Sequence, residues 1–406
     1  MASGRNPYDA VIIGGGPAGS QVAYRLAEAG YRVMVLERKE NLAGPVCCTG
    51  IVSRRCVQAF AIPDHVIHRE ANGARLFAPG GTVLDVNREE PQVAILNRPA
   101  FNQAWANRAH AAGAEFLYAT DVRRIETGKR LVTIESIRNW ERLTLQARSV
   151  VVATGFGSQL ADTLGMGASG DFVMGAQAEV ATRGAEQVEV YAGSKIAPGF
   201  FAWLVPTSPG KALVGLLSRR HPPAYLRSLL TRLAAEGKIA SASAPFAYGG
   251  VSLKTLPRTY GDRLLVVGTA AGQVKPITGG GIYFGLLCAD AAATTLDRRL
   301  NEDDLSAVKL AAYERSWKRR LGRELRTGSV ARRIFERLSD SQVDRIFALM
   351  VSSGLIEELR ASPDLTFDSH ADVVTRVFSQ RLFAQALRTV QLPFHLRKGR
   401  RKTPRD

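Results

Sequence analysis

The chain has 406 residues, 46% of them hydrophobic and 22% charged, an ordinary globular composition that excludes disorder, collagen and coiled coil as readings of the whole. At about 150 residues per domain, this length predicts two or three domains. A formal net charge of +17 points to an anionic partner, and four cysteines are too few for a disulfide scaffold, so they read as reduced thiols of a cytosolic protein.

The opening stretch, MASGRNPYDAVIIGGG, runs into glycine before any hydrophobic segment of signal-peptide length. Tyr8–Ile13 is a short apolar run bounded by glycine, as in a parallel strand buried on both faces. Residues 20–29 place Val22, Ala23, Leu26 and Ala27 on one helical face, and Gly30 stops the pattern. Residues 31–36 (YRVMVL) return as a second strand, which completes a βαβ unit. Residues 149–153 (SVVVA) and 263–268 (RLLVVG) predict two more buried strands, the latter followed by a glycine-rich turn and a helix from about Gly280.

Between these pieces, residues 170–220 alternate apolar and polar, as in Val188-Glu189-Val190-Tyr191, which predicts antiparallel sheet. No apolar run approaches the ~20 residues of a membrane-spanning helix. After residue 300 the pattern turns helical. Ser341 with Asp344 predicts a capping box, opening a helix with Ile346, Phe347, Met350 and Val351 on its apolar face. Ser362-Pro363 interrupts it, and Val373, Val374, Val377, Phe378, Leu382 and Phe383 predict a further helix. The fold class is therefore α/β. A discontinuous Rossmann-like domain (1–70, 95–165 and 255–300) is interrupted by a β-sheet domain (71–94 and 166–254). A helical region (301–395) and a basic tail (396–406) follow.

Gly14-Gly15-Gly16-Pro17-Ala18-Gly19 is a GxGxxG between a strand and a helix. The first glycine permits the tight turn, the second lets the backbone approach a pyrophosphate, and the third allows close packing of helix on strand. Glu37, with Arg38 beside it, lies 18 residues past Gly19, where a carboxylate accepts ribose hydroxyls and disfavours a 2′-phosphate. FAD or NAD is expected there. A second strand–glycine turn–helix, Gly268-Thr269-Ala270-Ala271-Gly272 through Gly279-Gly280-Gly281-Ile282, comes some 250 residues later. It suits the far end of an extended dinucleotide, with the helix N-terminus facing negative charge on a reduced flavin.

The run GTAAGQVKPITGGGIYFGLL resembles the second flavin motif of the geranylgeranyl reductase family, flavoenzymes of the p-hydroxybenzoate hydroxylase fold. Residues 45–53 (PVCCTGIVS, with Gly50) resemble that family's cysteine–glycine segment beside the flavin, and Arg98 matches its flavin-contacting arginine. Residues 197–206 (APGFFAWLVP) are similar to its aromatic substrate motif, which places Phe201, Trp203 and Pro206 at the substrate. The resemblance covers residues 8–300. It implies FAD-dependent saturation of isoprenoid double bonds in a membrane lipid, prenyl quinone or chlorophyll precursor. Two departures stand out: Thr269 where the family carries an aspartate, and Phe201 and Val205 where it carries tyrosine and phenylalanine.

Saturating an unactivated alkene needs a hydride at one carbon and a proton at the other. A cysteine thiol ordinarily titrates at about 8.5 and is protonated at neutral pH, so Cys48 is a candidate acid. The Cys47-Cys48 doublet equally reads as small buried hydrophobes, and which of the two faces the flavin is open; the family match favours Cys48. Phe200, Phe201 and Trp203 read as the wall of an apolar tunnel or as ordinary sheet core.

The electron donor is NADPH or reduced ferredoxin. Six scattered histidines and no CxxC or HExxH predict no metal. Basic clusters at Arg315, Lys318, Arg319, Arg320, Arg323 and Arg326, and again at 397–405, suit the peripheral contact of a cytoplasmic protein with an anionic membrane, rather than nucleic acid. Two alternatives remain: a flavin monooxygenase of the same fold, and a non-catalytic flavin- or prenyl-lipid-binding protein.

Overall fold

The computed structural model describes residues 7–168 and 170–361, together with 367, 368 and 371. The helix expected over 373–383, the Ser362-Pro363 break and the basic cluster at 397–405 lie outside the described residues.

β1 (Tyr8–Ile13), α1 (Pro17–Glu28) and β2 (Val33–Leu36) form the expected βαβ unit. The next stretch holds β3 (Ile51–Ser53), α2 (Arg54–Phe60), β4 (Ile67–Ala71), β5 (Ala74–Phe77), β6 (Val83–Asp85) and β7 (Val93–Leu96). α3 (Arg98–Ala111), β8 (Glu115–Leu117), β9 (Thr120–Thr127), β10 (Val132–Arg138) and β11 (Glu141–Val152) follow. α4 (Leu160–Thr163) then leads to β12 (Phe172–Ala181), β13 (Val188–Ala192), β14 (Phe201–Pro206) and β15 (Lys211–Ser218). α5 (Pro222–Ala235), β16 (Phe246–Ser252), β17 (Tyr260–Gly261) and β18 (Leu264–Val266) come next, and the described helices end with α6 (Ile282–Asn301), α7 (Ala307–Phe335), α8 (Asp340–Ser352) and α9 (Leu355–Ala361).

The first sheet runs β17-β18-β11-β1-β2-β8, with β10 and β9 folded back antiparallel on β11. β18, β11, β1, β2 and β8 are parallel, so the carboxyl ends of β1, β11 and β18 open on one edge. That edge is where ligands settle in open parallel sheets. α1, α3, α6 and α7 cover one face through Leu26, Trp105, Leu286 and Trp317.

The second sheet runs β16-β12-β15-β14-β13-β5-β6. It is antiparallel over β12–β15, as the alternation predicts, but β13 pairs with β5 in parallel. Ala202 and Leu204 face α5, while Trp203 and Val205 face the opposite side, toward Ile95 of β7. A third small sheet, β3-β7-β4, stands between the two.

The capping box differs from expectation. Ser339 opens α8, with its hydroxyl accepting from Gln342 N and Gln342 Oε1 accepting from Ser339 N. Asp344 instead accepts from Gly80 N at 2.7 Å, in the β5–β6 turn. α8 buries only Val343; Ile346, Phe347 and Met350 are half-buried and Val351 is exposed. Contact with the β5–β6 turn, rather than a full apolar stripe, holds this helix.

Candidate active site

The first glycine corner is built on close approaches. A Cβ at Gly14 (φ +105°) would stand 2.5 Å from Ala153 O, and one at Gly19 would stand 1.9 Å from Gly14 O. Gly16 caps α1 with no side-chain bond, and Pro17 occupies the first turn. The first-turn N–H groups of Ala18 and Gly19 thus face outward as an anion site. The carboxylate of buried Glu37 accepts from Gly15 N at 2.7 Å and from Lys39 N at 2.9 Å. It braces the phosphate loop, and each oxygen keeps a lone pair for a ribose hydroxyl. Arg38 is exposed beside it.

The second corner touches the first. A Cβ at Gly268 (φ +68°) would lie 3.0 Å from the Cβ of Ala18. The corner is held from behind by fully buried Gln273, whose Oε1 accepts from Gly268 N at 2.7 Å. Its Nε2 donates to Tyr313 Oη at 2.7 Å, and that hydroxyl donates to Val266 O at 2.9 Å. Thr269 Oγ1 lies 3.4 Å from where a Cβ on Gly281 would be. Gly281 caps α6 without a side-chain bond, so a second open helix N-terminus, at Ile282, faces the same edge. Gly279 lies against Leu217 and Val251 of the second sheet, and Gly280 against Lys275.

The cysteine–glycine segment packs against β7, Arg98 and the second sheet. Gly50 takes φ +74°, and a Cβ there would meet Leu96 O at 2.4 Å and the Arg98 side chain at 3.2 Å. Arg98 is buried, yet its Nε and Nη1 have no partner, as is the case for Thr154 Oγ1 at the end of β11. Buried donors of this kind are normally satisfied. Cys47 and Cys48 are distinguishable: the Sγ of Cys47 packs on the paired glycines Gly175 and Gly249 of β12 and β16, and burial pushes its thiol up to about 12. The carbonyl of Cys48 accepts from Gln177 Nε2 at 3.4 Å.

On β14, the rings of Phe201 and Trp203 lie 6.0 Å apart, and the indole lies across Gly215, its register partner, where a Cβ would meet it at 2.6 Å. Pro206 is buried at the strand's end. Two open helix N-termini, touching glycine corners and the free donors of Arg98 fit FAD extended between them. Among the described residues no group of His, Cys, Asp and Glu is arranged to hold a metal ion.

Residues 8–190 match the pyridine nucleotide-disulphide oxidoreductase family. Digeranylgeranylglycerophospholipid reductase 2 of Methanopyrus kandleri is 31% identical over 357 residues, covering 84% of this chain and 89% of the relative. The chain belongs to the geranylgeranyl reductase family. It is an FAD-dependent oxidoreductase. The digeranylgeranylglycerophospholipid reductase of Methanothrix thermoacetophila is 30% identical over 83% of this chain and 90% of its own length. Among solved structures, a geranylgeranyl bacteriochlorophyll reductase-like protein from Thermoplasma acidophilum shares the fold at a TM-score of 0.82, with 24% identity over 95% of this chain and 98% of that one. The p-nitrophenol 4-monooxygenase of Pseudomonas putida shares it less closely, at 0.68, with 18% identity over 87% and 96%.

Within this family member the structure adds residues that the motifs do not flag. Gln273 and Tyr313 brace the second corner. Gln177 holds the cysteine segment. Lys275, in the loop of the second corner, is buried and donates to Phe367 O at 2.8 Å and Asp368 Oδ1 at 3.3 Å, while Asp368 also accepts a hydrogen bond from the Ser53 hydroxyl. A lysine within a glycine motif is the signal in the sequence that marks this junction.

Proposed function

We propose that the protein saturates isoprenoid double bonds of a prenyl chain carried by a membrane lipid or quinone, or by a chlorophyll precursor. The observation that carries this reading is the apolar face of Phe201, Trp203 and Leu217, which packs with Ile95 of β7 and whose Leu217 lies against Gly279 of the second glycine corner. The reductase names of the relatives support the substrate class.

FAD, when bound and reduced, supplies the hydride. Residues 14–19 and Glu37 hold the adenosine diphosphate half. Arg98, Gly50, Thr269 and the α6 N-terminus at Gly279, Gly280, Gly281 and Ile282 hold the flavin half. Phe201, Trp203 and Pro206 line the chain and exclude water. Cys48 gives the proton to the second alkene carbon, and solvent restores the thiol. Cys47, wedged into the sheet, is its support. NADPH or reduced ferredoxin supplies the electrons.

The exposed cations Arg315, Lys318, Arg319, Arg320, Arg323 and Arg326 on α7 support a peripheral contact with an anionic membrane surface on the cytoplasmic side, at about 1 kcal/mol for each cation near the bilayer. Among the described residues no helix is long and apolar enough to cross a membrane.

The test is anaerobic reduction with dithionite, addition of prenyl lipids, and mass spectrometry for a gain of two hydrogens. A Cys48→Ser variant should lose about a hundredfold in rate while still binding FAD. No reaction with any prenyl lipid, or hydroxylated product with oxygen uptake in a parallel aerobic assay with NADPH, would overturn the reading.

A further inference from the structure

The aromatic segment 197–206 is clamped from outside the sheet. Gly199 takes φ +69°, and a Cβ there would stand 2.9 Å from the side chain of Glu336, just past the end of α7. Arg332, on the last turn of α7, is buried; its Nη2 donates to Gly199 O at 2.7 Å, and its guanidinium lies 3.3 Å from the ring centroid of Phe200. A second guanidinium, that of Arg219, stands 5.7 Å from the same ring. Glu336 ties the two together: Arg219 donates to both its oxygens at 2.7 and 3.0 Å, and Arg332 lies 3.5 Å from one of them.

Two cations against one aromatic ring, one of them buried, form a costly arrangement. Burial disfavours the charge on Arg332, lowering it to about 10, and ion pairs of this kind often contribute little to stability over apolar replacements. What the arrangement does fix is geometry. A planar guanidinium stacked on a ring and bonded to the neighbouring carbonyl leaves the peptide little freedom. Phe200 packs in the same cluster as Trp203 and Leu217, and the next residue, Phe201, opens β14.

We propose that Arg332 is a positioning residue for the aromatic wall: by holding Gly199 and Phe200 against α7, it sets the stance of Phe201 and Trp203 and so the length of apolar chain the pocket accepts. The inference rests on the prenyl-chain reading above and deepens it. Arg219 and Glu336 form the outer half of the clamp.

The test uses the full chain loaded with FAD and measures, by calorimetry, the affinity for prenyl alcohols of ten, fifteen and twenty carbons. The wild type should bind the longest most tightly. Arg332→Met should weaken the twenty-carbon alcohol about tenfold and flatten the preference across the series, with FAD affinity kept within about twofold. Arg332→Lys, which keeps a cation over the ring, should recover part of the loss. Should Arg332→Met fail to fold, Arg219→Gln should show the same flattening at about threefold. Folded Arg332→Met with unchanged affinities and unchanged preference would overturn the inference while leaving the prenyl reading intact. A wild type that binds none of the alcohols would overturn both.

Discussion

Gly19 and Cys47 show how single residues set the site. A methyl group at 19 would sit 1.9 Å from the Gly14 carbonyl, so the α1 N-terminus must retreat from the phosphates to admit it. Gly19→Ala should cost about 1–3 kcal/mol in the apoprotein and weaken FAD binding at least tenfold, read by flavin fluorescence titration. The Cys47 sulfur is packed on Gly175 and Gly249, and burial raises its thiol to about 12. In a Cys48→Ser variant, iodoacetamide labelling at Cys47 should stay slow from pH 7 to pH 10, where an ordinary thiol has become fully reactive. Labelling that rises with a midpoint near pH 8.5 would contradict the packing. These residues were legible in different degrees. The glycines declare themselves because pyrophosphate binding needs them at fixed offsets, whereas the division of labour between Cys47 and Cys48 depends on two glycines more than 120 residues away in sequence.

At the scale of elements, two long-range braces hold the loop of the second glycine corner. Gln273 links Gly268 to Tyr313 of α7 and through it to β18. Gln273→Ala would leave the buried Gly268 N–H unsatisfied and strip the Tyr313 hydroxyl of the bond it accepts, and should cost about 2 kcal/mol in urea denaturation as well as loosening FAD. The other brace is the buried Lys275–Asp368 pair, with Ser53 of β3 bonded to the same carboxylate. Removing one partner of such a pair typically costs 3–5 kcal/mol, so Asp368→Asn should destabilise by about 3 kcal/mol.

Burial lowers the Lys275 ammonium below its usual 10.5, with Asp368 pulling the other way. Between the folded value and 10.5 the unfolded chain binds the proton and the native chain does not, so the Lys275 contribution to stability rises with pH over that window. In Asp368→Asn the window should extend further down. Urea curves at pH 8, 9 and 10 check this: the variant's deficit should shrink toward pH 10, and a deficit that grows would contradict it. None of these braces is local. A pattern read along the chain finds β1, α1 and the start of α6, but it cannot pair β13 with β5 or carry residue 368 to residue 275. The cap of α8 failed for a related reason: Ser339 and Ser341 both have a polar partner three residues on, and only the β5–β6 turn, by engaging Asp344, shows which one starts the helix.

At the scale of the whole molecule, a parallel sheet and a second, largely antiparallel sheet meet along the edge where β1, β11 and β18 end. α7 joins three functions in one helix. Its buried stripe of Tyr313, Trp317 and Leu321 packs on the core, its last turn holds Phe200, and its outer face carries the exposed cations. Sedimentation with phosphatidylglycerol vesicles should pull the protein down at low salt and release it at about 0.5 M, because screening shortens the reach of surface charge to a few ångström. Neutral phosphatidylcholine vesicles should not bind it, and equal binding to both would count against the basic face.

A crystal structure of the FAD complex measures most directly whether one cofactor spans two corners distant in sequence. The adenosine diphosphate half should lie on residues 14–19 beside Glu37, with the isoalloxazine between Arg98, Cys48 and the N-terminus of α6. Flavin density that engages only one of the two corners, or that sits away from the Phe201–Trp203 wall, would contradict it.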